Sequence, residues 1–264
     1  MKKWVIALSL VAVALVPVRA DITLVQSMTM EGPAAAAMGG QMPTITLRIK
    51  GNKARSDVQT QNSSIVAITD LATKEVIILN PANKTAQVVR AGANLPTPKV
   101  DASYKPTGKT QTIDGQLCEQ HQFTMKLSMA EMGGQQMPPE AAAMMKDVNM
   151  AMSGSVWTAK SAPGAAEYSA YTQAALKSGI FAAMSGLPAG TSGGMDKLMA
   201  AAASAPGVPY LTEITMTMEG SGPMAEAMKN MGPMKMVQKL TSISTDSVSD
   251  DLFKVPEGYT VEKK

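Results

Sequence analysis

Histidine and cysteine are almost missing from this chain. His121 is the only histidine and Cys118 the only cysteine. Histidine-paired zinc sites are thereby excluded, no His-Glu-x-x-His string exists, and no nucleophile, base and stabiliser can be assembled into a catalytic set. A lone cysteine also excludes a disulfide within one chain. Cys118 and His121 have the look of a C-x-x-H ligand pair, but three residues apart on a strand they point to opposite faces. Cys118 therefore reads as a half-buried small residue. Gly108-Lys109-Thr110 ends like a phosphate loop, yet Ser103 stands where the required glycine would be. Asp250-Asp251 reads as a solvated turn. No enzyme, no catalytic residue, no metal ligand and no cofactor is expected.

Charge of one sign is lacking too. Lys2, Lys3 and Arg19 lie in the first twenty residues, and without them the 24 basic side chains fall level with the 21 acidic ones. A chain in balance has no electrostatic attraction to nucleic acid or to an anionic membrane surface. Long apolar runs are absent after residue 20, so no integral membrane segment is expected there. Residues 1–20 themselves read as a cleavable signal peptide. Met1-Lys2-Lys3 is the basic start, Trp4–Val16 the short apolar stretch, and Val18-Arg19-Ala20 the cleavage site. The expected location is the periplasm or the exterior, with residues 21–264 forming a single domain.

The last absence is the most informative. The chain has 23 methionines, but none lies between Met42 and Met125. That gap is filled by short β-branched runs: Ile45–Ile49, a Gly51-Asn52 turn, Ala54–Thr60, Ile65–Thr69, Val76–Leu79 and Thr85–Val89. The pattern predicts an antiparallel meander. Gly92–Pro106, with its prolines, reads as a loop, followed by Gln111–Ile113, an Asp114-Gly115 turn and a long strand over Gln116–Met129. Further on, Ala165–Lys177 and Met195–Ala203 read as helices within a helical segment at 164–204. Val208–Glu219, Met236–Thr245 and Tyr259–Val261 read as returning strands.

The methionines gather around three segments, 31–43, 130–147 and 220–235. In each a proline (Pro33, Pro139, Pro223) sits where it best starts a helix, and each is read as a short helical insertion. The flanking strands alternate methionine with small polar residues. Met28 and Met30, Phe123, Met125 and Met129, Met150 and Met152, and Met216 and Met218 therefore fall on one face of a sheet. Met224, Met228 and Met231 follow at i, i+4 and i+7, one stripe of a helix that would cover that face. These twelve residues are the candidate ligand-binding set. Flexible thioether side chains suit a deformable apolar cavity for a hydrophobic small molecule or lipid. Two other readings stay open: soft ligation of Cu(I), and a methionine-filled core in a structural or interaction protein. No protein partner is specified by the residues.

"RIKGNKAR", "AITDLATKEVIILNPANKTAQVV", "TGKTQTIDGQLCEQHQF", "VWTAK" and the closing "LFKVPEGYT" resemble, in that order, an uncharacterised exported family related to the lipoprotein carrier LolA and receptor LolB. The resemblance covers most of residues 45–160 and the last fifteen or so. It implies a mainly β, α+β fold: a curved antiparallel half-barrel whose concave face is covered by short helical insertions. It also implies shelter for acyl chains. None of the methionine segments aligns with the carriers.

Overall fold

The computed structural model describes residues 21–32, 43–60, 63–90, 101–129, 145, 147–180, 202, 203, 205–221, 225, 226, 229, 230 and 232–263. Among these described residues twelve strands form one sheet. In chain order they are β1 (Ile22–Glu31), β2 (Thr44–Lys50), β3 (Lys53–Gln59), β4 (Ser64–Asp70), β5 (Glu75–Asn80), β6 (Thr85–Arg90), β7 (Asp101–Ile113), β8 (Gln116–Ser128), β9 (Val148–Ala159), β10 (Val208–Gly220), β11 (Met234–Ser244) and β12 (Thr260–Lys263). A helix α1 (Ala165–Ser178) lies between β9 and β10, and a 3-10 turn (Asp250–Phe253) lies between β11 and β12.

Across the sheet the order is β12-β6-β5-β4-β3-β2-β1-β11-β10-β9-β8-β7. Two meanders, β1 to β6 and β7 to β11, are joined along one seam where β1 pairs with β11. Tight turns hold the hairpins. At Asp114-Gly115 both residues have positive φ, 48° and 79°, the backbone twist that a two-residue connection between right-twisted strands needs.

The fold differs from the expected α+β, all-antiparallel half-barrel with helical insertions. The sheet is open, since β12 and β7 stand at opposite ends of the strand order, and it is mixed, since β12 runs parallel to β6. Parallel neighbours need a crossover. Residues 245–259 supply it, packing over one face of the first meander. Among the described residues α1 is the one α-helix of several turns. The inferred helices in 31–43 and 130–147 fall almost wholly outside the described residues. In 220–235, residues 225, 226 and 229 are helical.

The two meanders are built from different residue patterns for a physical reason. Strands β4 and β5 carry near-continuous apolar runs because both of their faces are covered. On one face Val66, Ile68, Leu79 and Ala86 pack against Val248 and Phe253 of the crossover. On the other, Val76 packs with Ala175 and Ile180 at the end of α1. Strands β8 to β11 alternate instead, with apolar residues on the α1 side and Ser, Thr, Gln and Glu on the other. That polar side forms an open groove of about 560 Å³ that includes Gln120, Ser155 and Glu213.

The predicted helix Ala165–Lys177 is α1, ended by Gly179 at φ 73°, whose N–H bonds back to the carbonyl of Leu176. Its buried side is Ala165, Tyr168, Tyr171 and Ala175, at helical spacing. Of the predicted helix Met195–Ala203, only Ala202 and Ala203 are described, and both are helical. The predicted loop Gly92–Pro106 is a strand from Asp101 onwards. Pro106 is tolerated because β7 is an edge strand, and the register with β8 slips between Pro106 and Thr110.

Candidate functional site

Strand register turns the methionine pattern into a surface. Met125 of β8 lies opposite Met152 of β9, Met152 opposite Met216 of β10, and Met216 opposite Met234 of β11. The next rung outward is Leu127, Met150 and Met218. The next rung inward is Phe123, Gly154, Ile214, Met236 and Met30. Met28 stands one step further, opposite Gln238. Directly opposed side chains on neighbouring strands have Cβ atoms about 4.5–5.5 Å apart, so the methionine rungs are rows of neighbouring apolar groups, and the Phe123 rung is interrupted at Gly154. Met125 is buried at 2% exposure, while the other strand methionines are half-buried.

Eight of the twelve predicted site residues are thus brought onto one face: Met28, Met30, Phe123, Met125, Met150, Met152, Met216 and Met218. Met129 is just past the end of β8 and half-buried. Met224, Met228 and Met231 lie outside the described residues. Met234 and Met236 complete the rows and belong with the eight.

The same face holds a cavity that the methionine pattern does not indicate. It has a volume of about 310 Å³ and lies between α1 and the sheet. Tyr168 and Tyr171 of α1 roof it. Leu47 of β2, Ala54 of β3, Val156 and Thr158 of β9, and Tyr104 of β7 line it. In a flat sheet, β3 and β7 would be seven strand spacings apart, roughly 34 Å at about 4.8 Å each. Their meeting at one small cavity means that the open sheet bends about α1. Among the described residues that line it, none is an Asp, Glu, Lys, Arg or His.

The ionisable groups here are all held neutral. Burial, reinforced by Tyr168, pushes the Tyr104 hydroxyl up to about 12. Burial also raises Tyr168, and it raises Tyr171 against an opposing hydrogen bond from Thr69. His121 stacks on Tyr104 with ring centroids 5.2 Å apart. Burial pushes its imidazole below the ordinary value, with the Glu119 carboxylate opposing part of that shift. Thr158 Oγ1, a buried polar atom of the cavity lining, has no hydrogen-bond partner among the described residues.

Cys118 is fully buried, not half-buried as expected, and burial raises its thiol. Among the described residues no three His, Cys, Asp or Glu side chains are grouped to hold a metal ion. Among the same residues no helix is long and apolar enough to cross a membrane.

Tyr104 escaped the sequence reading because it sits in what reads as a proline-rich loop, and Thr158 because an isolated threonine in a strand is ordinary. Their available signal was spatial, through the β7–β8–β9 pairing.

No family model matches the chain, and no curated protein matches it. Two solved structures are similar in outline. One is an uncharacterized conserved protein from Thermus thermophilus, 9% identical, with a TM-score of 0.43 over 94% of this chain and 92% of that one. The other is the lipoprotein LppX of Mycobacterium tuberculosis, 9% identical, with a TM-score of 0.30 over 86% of this chain and 88% of that one. At TM-scores under 0.5 neither likeness carries an argument about what this protein does.

Proposed function

We propose that the chain is a non-enzymatic binding protein for an apolar ligand, an acyl-like or other hydrophobic molecule, that works in the cell envelope. The observation that carries this reading is the cavity beneath α1, mostly apolar in surface and without a charged side chain among its described lining residues, on the same sheet face as the methionine rows. From Thr158 to Met150 along β9 is eight residues, roughly 26 Å of strand at about 3.3 Å per residue, with every second side chain on that face. Methionine suits such a surface because its unbranched thioether adapts to ligands of differing shape. Met28, Met30, Phe123, Met125, Met150, Met152, Met216 and Met218 are the wall in this reading. The envelope assignment rests on the signal-like residues 1–20.

Native mass spectrometry of the exported protein tests it. A co-purifying apolar molecule, or displaceable uptake of the fluorescent probe N-phenyl-1-naphthylamine, is the expected result. A bare mass together with no probe uptake overturns the reading.

A second reading is favoured by one observation, the unbroken rung Met125–Met152–Met216–Met234, which sets four thioethers side by side as soft ligands for Cu(I). Replacing Met216 and Met218 by leucine separates the two, because leucine keeps volume and loses sulfur. Copper uptake under reducing conditions would disappear in that variant, whereas probe uptake would persist.

A further inference from the structure

We infer that the cavity beneath α1 takes the polar end of its ligand, and that this end is an uncharged hydroxyl or amide held by Thr158. The inference rests on the apolar-ligand reading and adds to it a position and a chemistry for the head. Thr158 is 4% exposed, lines the cavity, and its Oγ1 is without a partner among the described residues. Buried polar atoms are almost always paired, and an unpaired one is costly. Gln26, Ser56, Ser169 and Thr172 also line the cavity, but Gln26 accepts from Gln238, Ser169 accepts from the Gly207 N–H and Thr172 donates to the Tyr168 carbonyl, so it is at Thr158 that a hydrogen-bonding ligand atom gains what a hydrocarbon cannot.

His121 reinforces the same place. It lies on β8 diagonally from Thr158, since Glu119 is opposite Thr158 and His121 opposite Val156. Its ring stacks on Tyr104, which lines the cavity, and so backs the wall beside Thr158.

Charge decides what kind of head fits. Lys160, two residues after Thr158, is ion-paired with Glu119 at 2.7 Å. The cavity tyrosines remain un-ionised. A carboxylate or phosphate placed here would lose its hydration and meet no cation among the described lining residues, a large penalty. A hydroxyl or amide can both donate and accept, which suits a threonine hydroxyl.

The test is displacement of N-phenyl-1-naphthylamine by three molecules of equal chain length, 1-decanol, 1-chlorodecane and decanoate, at pH 8. It is run on the wild type, Thr158→Val and Thr158→Ser. The expected result is that the affinity ratio of decanol to chlorodecane falls about tenfold in Thr158→Val and is retained in Thr158→Ser. Decanoate should bind more weakly than decanol to all three proteins. If decanol and chlorodecane both bind but their ratio is the same in Thr158→Val, the head site is wrong and the apolar reading survives. Tighter binding of decanoate than decanol overturns the uncharged head. If no molecule displaces the probe because none binds, the apolar reading falls and this inference with it. Equal melting temperatures of the three proteins confirm that each comparison is made on folded chains.

Discussion

The ring of Phe123 on β8 lies over Gly154 on β9. A Cβ at residue 154 would stand 2.8 Å from Phe123 Cζ, and closer still to the carbonyl oxygen of Glu213. Glycine is required here by contact, since side chain and backbone both occupy the space a methyl group would need. The pair also marks the rung between the tyrosine-roofed cavity and the methionine rows.

Gly154→Ala is therefore expected to destabilise the protein by about 2–3 kcal/mol, the upper range for overpacking. Urea unfolding checks it. Trimming the aromatic ring in the double variant Phe123→Ala, Gly154→Ala should not restore stability, because the Glu213 carbonyl stays in place. A single variant with the wild-type midpoint would contradict the contact.

Asp57 ties the crossover segment to the sheet at one remove. It accepts hydrogen bonds from Arg48 at 2.6 Å and Arg55 at 2.7 Å, and Arg55 Nη1 donates to the carbonyl of Leu252 at 2.9 Å. Asp57→Asn should cost about 1–2 kcal/mol, in keeping with hydrogen bonds to charged groups in a partly exposed setting. Hydrogen exchange should quicken at residues 248–254 more than in β8 and β9. Uniform quickening would argue against a local tether.

His121 and Tyr104 give stability opposite pH dependences. The folded imidazole sits below its ordinary 6.5, so its contribution is present above that pH and is lost as pH falls through the folded value. The Tyr104 hydroxyl sits near 12 rather than 10, so its contribution is whole below pH 10 and declines towards pH 12. Denaturant unfolding of wild type, His121→Phe and Tyr104→Phe at pH 5, 8 and 11 is the measurement. Relative to wild type, the first variant should lose less stability at pH 5 and the second less at pH 11. Parallel curves would mean that neither group is desolvated.

The Cys118 thiol has no exposed surface, and its ionisation is pushed up by burial. It should resist a thiol reagent such as 5,5′-dithiobis(2-nitrobenzoate) in the native state and react stoichiometrically in denaturant. Rapid native labelling would place it elsewhere.

Much of this was legible from residue alternation alone. Thr29, Thr124, Thr215 and Thr217 separate the methionines so regularly that a shared face followed from period two, and the pairing of β8 to β11 made neighbours of them. The first meander was legible for the same reason, with Gly51-Asn52 marking one of its turns, as Asp114-Gly115 does in the second. What could not be read depends on partners distant in the chain. Pro106 signals a loop unless one knows that β7 is an edge. The parallel pairing of β12 depends on where residues 245–259 cross. The cavity exists only because Tyr104, Thr158 and Tyr168, from three elements, meet where the sheet bends.

The seam between β1 and β11 has a kinetic meaning. Gln26 is hydrogen-bonded to Gln238, and Thr241 to the carbonyl of Val25, across more than 200 residues of chain. Each meander can zip from local hairpins, but joining them requires closing a loop that spans nearly the whole sequence, the slowest class of contact to form. Until that closure, the methionine-bearing edges of β1 and β11 are both unpaired. The chain that waits longest for its partner is thus its first strand, and the stage most prone to sticky association is the one just before the halves meet.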